Sequence, residues 1–336
     1  MKYILVVSDG KPGHYRQSMA VAEAIKALDK ETEVVYREVS IGRGKKYILR
    51  FLLNISWIRV FFKHLASWRC LRWFYGGIEE NECPKYVVSS GKETSMLTAC
   101  IGMICNAQTF FIGHPKKLDH RLFTAVLSVL DLGFENQIVL ETAPNLPYDP
   151  KALEIFCAQK GLDPSGEYAV LLIGGDGSGY RYTSEEYRRI VDFVNATAGC
   201  VSWLVTTSRR TPPDIERMME REMNAVCFIP YHRKPEAVVD PFLTLSRYAF
   251  VTEESASMVG EAVAAGVDVV TLFPSDVNPD ENYRNILKKF EQQKAVRRVS
   301  LATLDEKTLL PARSHREHTF HSLVRQLSCW IGKEKR

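Results

Sequence analysis

The chain has 336 residues, 46% hydrophobic and 25% charged, with 44 lysines and arginines against 40 acids for a net charge of +4. That length supports two domains with separate cores, and the composition is that of an ordinary globular protein. The charge is too mild to make nucleic acid the main partner. The eight cysteines form no CxxC pair and no zinc spacing, which argues for a reducing cytoplasm over a disulfide framework. Residues 1–8 are apolar over too short a run for a signal peptide, and no uninterrupted apolar run reaches the roughly 18 residues of a spanning helix. The expected location is therefore the cytoplasm.

Residues 1–145 are expected to form a first α/β domain. Tyr3–Ser8 reads as a strand, His14–Leu28 as an amphipathic helix, and Glu33–Arg37 and Lys85–Ser90 as strands. Thr94–Cys105 is predicted helical, Thr109–Ile112 a strand, with Val126–Leu130 and Gln137–Leu140 as two more. Three prolines between Pro144 and Pro150, then Gly161, Pro164 and Gly166, mark 146–166 as a linker containing a short helix. The alternation restarts over 167–310: strands at Tyr168–Ile173, Val201–Thr206, Ala225–Ile229, Tyr248–Thr252 and Val267–Leu272. Helices are expected at Ser184–Ala196, Pro213–Arg221, Ser257–Ala265 and Asn278–Gln292. The segment 311–336 carries a last helix, Ser314–Ile331, which would suit a return to the first domain. Strands alternating with helices predict parallel sheets covered on both faces. The expected fold is α/β: two Rossmann-like domains facing each other across a cleft.

Ligands of open α/β sheets bind at the carboxyl ends of strands, and the unusual polar clusters all fall there. Ser8-Asp9-Gly10-Lys11-Pro12-Gly13-His14 leaves the first strand and opens a helix. Gly10 and Gly13 permit close backbone approach, while His14 or Asp9 offers a general base. The alternative is a tight turn in which Asp9 caps the helix. Val251-Thr252-Glu253-Glu254-Ser255-Ala256-Ser257-Met258, with Glu261 and Gly266, repeats the strand–turn–helix design. Ser255, Ser257 and the first-turn N–H groups suit a diphosphate, and Glu261 one turn later suits two ribose hydroxyls; helix capping would explain the same residues.

Gly174-Gly175-Asp176-Gly177 ends another strand but is not a GxGxxG, so a phosphate- or sugar-facing loop competes with a plain turn. Ser89-Ser90-Gly91-Lys92-Glu93-Thr94 lacks the upstream glycine and the magnesium-binding hydroxyl of a P-loop, leaving Gly91 and Lys92 as acceptor-side candidates with His114. In Thr206–Pro213, Ser208 and Arg209 are the phosphate candidates, Arg209 being preferred over Arg210. His315, His318 and His321 share a helical stripe but lack a completing ligand, so no metal site is expected. Residues 43–76 interleave Lys45, Lys46, Arg50, Arg59, Lys63, Arg69 and Arg72 with Phe51, Trp57, Phe61, Phe62, Trp68, Trp73, Phe74 and Tyr75. That pattern fits either docking on an anionic membrane or two helices packing their aromatics into the first domain.

Three of these motifs together resemble one family. Asp9–His14 with Gln17, Thr207-Ser208-Arg209-Arg210-Thr211-Pro212, and Val251-Thr252 with Ser255, Ser257, Met258, Glu261 and Gly266 are similar to the elongated-mitochondria (mitochondrial-fission) family, whose bacterial members are regarded as glycosyltransferases. The first motif also resembles the glycine-rich, histidine-containing loop of the lipid-linked N-acetylglucosamine transferase of peptidoglycan synthesis. The resemblance implies a GT-B architecture, with a nucleotide-sugar donor in the C-terminal domain, an acceptor in the N-terminal one, and no metal or other cofactor. It implies that Glu261 holds the donor ribose, that Ser257 and Met258 face the diphosphate, and that His14 or Asp9 lies near the acceptor hydroxyl. Around Asp119–Asn136 the chain departs from the family's Pro-x-His-Asp segment, showing Leu130-Asp131-Leu132-Gly133 instead.

The reading is an inverting, metal-independent glycosyltransferase whose partners are a nucleotide sugar and a cell-surface glycan or lipid-linked acceptor. It would work in the cytoplasm, or at the inner face of a membrane if 43–76 docks there. Two rivals share the architecture: a nucleotide-sugar 2-epimerase, and a non-catalytic recruiting scaffold of the mitochondrial-fission type.

Overall fold

The computed structural model describes residues 2–55, 68–79, 83–309 and 317–331. The chain divides into two compact units, one of Met1–Leu146 with Thr319–Arg336, the other of Pro147–His318.

The first unit is built on a parallel sheet of strands β1 (Tyr3–Ser8), β2 (Glu33–Glu38), β5 (Tyr86–Ser90), β6 (Gln108–Ile112), β7 (Ala125–Ser128) and β8 (Gln137–Val139), in the order β2-β1-β5-β6-β7-β8. A short antiparallel pair, β3 (Ser40–Ile41) and β4 (Tyr75–Gly76), lies outside it. The inner strands are continuous apolar runs because helices cover both faces. Ile4 and Val6 point into one core with Val21 and Ile25 of helix α1 (Pro12–Leu28). Leu5 and Val7 point into the other, with Leu49 and Leu53 of α2 (Arg43–Asn54), Trp68 and Leu71 of α3 (Trp68–Phe74), and Leu97 and Ile101 of α4 (Ser95–Cys105).

The second unit repeats the plan. Its sheet contains β9 (Tyr168–Ile173), β11 (Ser202–Thr207), β12 (Cys227–Ile229), β13 (Ser246–Thr252), β14 (Asp268–Phe273) and β16 (Val296–Ser300), in the order β12-β11-β9-β13-β14-β16, all parallel. A two-residue pair, β10 (Tyr180–Arg181) and β15 (Asp276–Val277), closes a side loop. The residues 146–166 belong mostly to this unit: α5 (Pro150–Lys160) buries Cys157 and sets Phe156 against Phe242, 5.9 Å between ring centres. Helices α6 (Ser184–Thr197) and α7 (Pro213–Glu222) cover one face of the sheet through Tyr187, Ile190, Val194, Ile215 and Met219. Helices α8 (Val239–Leu245) and α9 (Ala256–Ala265) pack against β13, and α10 (Glu281–Gln292) against β16.

The last described helix, α11 (Thr319–Ser328), returns to the first unit and buries Leu323 and Leu327 beside α1. Gln326 Nε2 donates to the Val139 carbonyl at 3.2 Å, and Gln108 Nε2 to that of Trp330 at 3.1 Å. Its start at Thr319 is later than the predicted Ser314, and 314–316 lie outside the described residues, as does His315. Two elements depart from the sequence reading. Val239–Leu245 is a helix despite Pro241, which sits in the first turn where its missing N–H costs nothing. Val296–Ser300 is a sixth strand, its alternation hidden by Arg297 and Arg298.

Candidate functional site

In each sheet the strand order reverses once, between β1 and β5 and between β9 and β13. The helices following β1 and β5 lie on opposite faces, α1 over one core and α4 over the other. Such a reversal opens a crevice at the carboxyl ends of the two strands. The predicted residues concentrate at these points.

At the first reversal, Asp9 follows β1 with its side chain 3% exposed. Its Oδ1 lies 2.8 Å from His14 Nδ1 and its Oδ2 3.0 Å from Lys11 Nζ. Burial pulls the Asp9 carboxyl up, but the hydrogen bonds and charges of His14 and Lys11 outweigh it and hold the group below the ordinary aspartate value. An ionised carboxylate against Nδ1 assigns the imidazole proton to that nitrogen, leaving Nε2 free to accept another. Gly91, after β5, backs the pair. It has φ +97°, and a Cβ there would lie 2.5 Å from His14 Nδ1 and 3.2 Å from Asp9 Oδ2. Ser90 donates to Gln17 Oε1 at 3.3 Å, tying β5 to α1.

The structure thus brings Asp9, Lys11, His14 and Gly91 together. Gly10 backs onto the Glu38 carboxylate, whereas Gly13 is exposed with open space around it. Lys92 is exposed, and its carbonyl accepts from the Ser95 hydroxyl at 3.0 Å. His114 belongs to a separate turn, where its Nδ1 accepts from the Lys116 N–H at 2.7 Å and its ring meets Phe134 edge-on.

At the second reversal, Gly174 and Gly175 leave β9 and Glu253-Glu254 leave β13. The two acids have different surroundings. Glu253 is fully buried and fully answered: Arg298 grips it through Nε at 2.7 Å and Nη2 at 2.6 Å, and the Tyr180 and Thr271 hydroxyls donate at 2.8 and 2.7 Å. It ties β13 to β14, β16 and the β10 loop. Glu254 is equally buried, but its Oε1 alone receives Arg210 Nη2 at 3.0 Å and the Gly175 N–H at 3.2 Å. Its Oε2 makes no hydrogen bond among the described residues. Burial pushes the Glu254 carboxyl above the ordinary glutamate value, against the pull of the Thr252 hydroxyl, Arg210, the Gly175 N–H and the Tyr182 hydroxyl.

The glycines at this point make room for protein. A Cβ on Gly174 would fall 1.5 Å from Glu254 Oε1, and one on Gly175 2.0 Å from the Arg210 carbonyl. The Ser208–Thr211 turn is closed by Ser208 N to Thr211 Oγ1, 3.1 Å, and by Arg210 N to Ser208 Oγ, 3.2 Å. The turn leaves Arg209, the preferred phosphate candidate, exposed and aims Arg210 inward at Glu254. Helix α9 starts beside Glu254 with no side-chain cap from Ser255 and no acid in its first turn, so its first N–H groups keep their partial positive charge. Ser257 is exposed, and Met258 and Glu261 are half-buried on the first turns. Among the described residues no cluster of three or more His, Cys, Asp or Glu could hold a metal ion.

A family model described as mitochondrial fission ELM1 matches residues 12–318. The chain belongs to that family. The match spans the candidate residues from Gly13 through Glu261, and Asp9, Gly10 and Lys11 precede it. No sequence among the curated proteins matches the chain.

Among solved structures, the UDP-GlcNAc 2-epimerase of Methanocaldococcus jannaschii is similar at a TM-score of 0.55 and 13% identity, over 98% of this chain and 100% of that one. The Escherichia coli ADP-heptose LPS heptosyltransferase II is similar at 0.45 and 13%, over 97% and 99%. A glycosyl transferase family 9 protein of Veillonella parvula is similar at 0.48 and 10%, over 98% and 97%. The fold of this family member is α/β with two Rossmann-like units, the fold it shares with the Methanocaldococcus jannaschii structure.

Two predictions follow from the geometry. Gly91→Ala is expected to cost about 1–3 kcal/mol of stability, from positive φ and the clash with His14. The His14 imidazole should also be displaced from its Asp9 partner, seen as changed His14 ring chemical shifts by NMR. For Glu254, a native pKa raised above the unfolded value of about 4.3 means the native state holds the proton longer, so stability falls as pH rises through that window. Glu254→Gln lacks this loss. Its stability relative to the parent should rise between acid and neutral pH, as urea titrations at several pH values would show.

Proposed function

We propose that the protein is a metal-independent glycosyltransferase that moves a sugar from a nucleoside-diphosphate donor to the hydroxyl of a glycan or lipid-linked acceptor. The observation that carries this reading is the Asp9–His14 pair at the first strand reversal, a histidine whose Nδ1 is held by an ionised carboxylate and whose Nε2 is left as a base. His14 Nε2 takes the acceptor proton while that oxygen attacks the anomeric carbon, and the bond from the anomeric carbon to the diphosphate oxygen breaks. Asp9 orients the imidazole and stabilises the imidazolium.

The second unit supplies the donor site in this reading. Glu261 receives the ribose hydroxyls, and Ser255, Ser257, Met258 and the start of α9 receive the diphosphate. Arg209 and Arg210 add positive charge where a metal ion would otherwise be needed. Family membership and the likeness of fold to a nucleotide-sugar enzyme support a nucleotide sugar as substrate.

The test is release of nucleoside diphosphate from UDP-, GDP- and ADP-sugars in EDTA, with and without lipid-linked and glycan acceptors. The active pairing should lose about 100-fold or more in kcat in His14→Ala and in Asp9→Asn, with donor affinity little changed. Undiminished turnover in His14→Ala would overturn the assignment of the base. A sugar isomerised without any acceptor would favour the 2-epimerase, and absence of both turnover and nucleotide binding would favour the scaffold.

A further inference from the structure

From Glu38 to Glu79 the sequence contains no acidic residue, yet it carries eight lysines and arginines. Within it, α2 buries Leu49 and Leu53 against the first sheet and turns the opposite stripe to solvent. Tyr47, Ile48 and Phe51 fall on that stripe at the three- and four-residue spacing that makes one helix face, and they are 64%, 49% and 62% exposed. Trp73 of α3, 56% exposed, borders it.

Cations flank the stripe on both sides. At about 100° per residue, Arg50 lies on one edge of the stripe and Lys45 on the other, while Lys46 turns toward the sheet side, near Leu53 and the Glu93 carboxylate. Lys45 Nζ bonds the Trp73 carbonyl and sits 4.6 Å from the Trp73 ring centre, while the Arg50 guanidinium lies 5.9 Å from the Tyr47 ring. At the carboxyl end of α2, Asn54 donates to the Lys117 carbonyl at 2.7 Å, placing that exposed basic loop nearby. Tyr15 and Tyr36, also exposed in this unit, pair edge-to-face with each other instead of extending the stripe. The rest of the aromatic run, Trp57, Arg59, Phe61, Phe62 and Lys63, lies outside the described residues, whereas Trp68 and Phe74 are buried in the core.

We infer that α2, with Trp73, is a docking surface for an anionic lipid bilayer. Tyr47, Ile48, Phe51 and Trp73 enter the headgroup region, and Lys45 and Arg50 meet lipid phosphates. An apolar face edged by basic and aromatic side chains fits the bilayer interface, where rings sit at headgroup depth and each cation adds attraction. An acidic protein groove would also answer the cations, but the unbroken apolar stripe with cations on both edges matches a flat interface with charge at its surface. Among the described residues no helix is long and apolar enough to cross a membrane, so the contact is peripheral.

Helix α2 is also linked to the loop behind the Asp9–His14 pair. Lys46 Nζ lies 4.0 Å from the Glu93 carboxylate, and Tyr75 donates to the Glu93 carbonyl, two residues from Gly91 behind His14. If the proposed transfer holds, a lipid-linked acceptor would be presented beside its base; that consequence rests on the transferase reading, whereas the docking itself does not.

Co-sedimentation with vesicles of phosphatidylcholine alone, or with about one third phosphatidylglycerol, tests the docking without needing any turnover. Binding is expected to the anionic vesicles only and to weaken with salt. Lys45→Gln with Arg50→Gln should weaken it about 25-fold, at roughly fivefold per cation. Phe51→Ser with Ile48→Ser should abolish detectable binding, with the melting temperature of each variant confirming its fold. No binding to anionic vesicles would overturn the inference, as would binding unaffected by the Phe51 and Ile48 changes. Sedimentation velocity showing a dimer that Phe51→Ser dissolves, with no vesicle binding, would overturn it in favour of a second copy of the chain.

Discussion

The reversal of strand order in each sheet determines where this chain can bind a small ligand. In the first sheet the chain places β2 on one side of β1 and then continues through β5, β6, β7 and β8 on the other. In the second, β11 and β12 lie on one side of β9, and β13, β14 and β16 on the other. Because connections between parallel strands cross right-handedly, a change in direction sends the helices to opposite faces and leaves the strand ends between them uncovered. The reversals are where polar side chains and unclaimed N–H groups can collect without being sealed into a core, and both candidate clusters lie there.

The two clusters solve the problem of buried charge differently. Glu253 is paired bidentately with Arg298 and receives two hydroxyls, so its charge is answered and the group serves the scaffold. Its neighbour Glu254 is as deeply placed but less fully paired, with Arg210 and the Gly175 N–H on Oε1 and no hydrogen bond to Oε2 among the described residues. Asp9 stands between these cases: nearly buried, ionised, and dependent on His14 and Lys11 for its charge. Removing His14 therefore affects Asp9 as well as the base itself, so the pair behaves as one unit.

Much of the architecture was legible because parallel strands covered on both faces become unbroken apolar runs, such as Tyr3–Ser8 and Tyr168–Ile173. Val296–Ser300 escaped because Arg297 and Arg298 interrupt its pattern; Arg298 is there to hold Glu253, a partner 45 positions earlier in the chain. The glycine and histidine of the first cluster signalled a close approach, but the sequence could not say that Gly91 is what His14 approaches. In the Ser208–Thr211 turn the residue types alone do not distinguish two adjacent arginines. Only the turn's own hydrogen bonds decide that Arg210 faces Glu254 while Arg209 faces outward. Contacts across tens of residues fixed what composition and spacing left open.

The account stands or falls on whether the second reversal binds a nucleotide. Thermal-shift screening of the purified protein in EDTA against UDP, GDP, ADP, CMP and UDP-sugars, repeated with Glu261→Ala, measures this directly. At ligand near 100 times Kd, binding should add about 2.7 kcal/mol to stability. The account predicts a selective stabilisation by one nucleotide series that Glu261→Ala removes. A flat response to every nucleotide, or a shift that Glu261→Ala leaves intact, would contradict it.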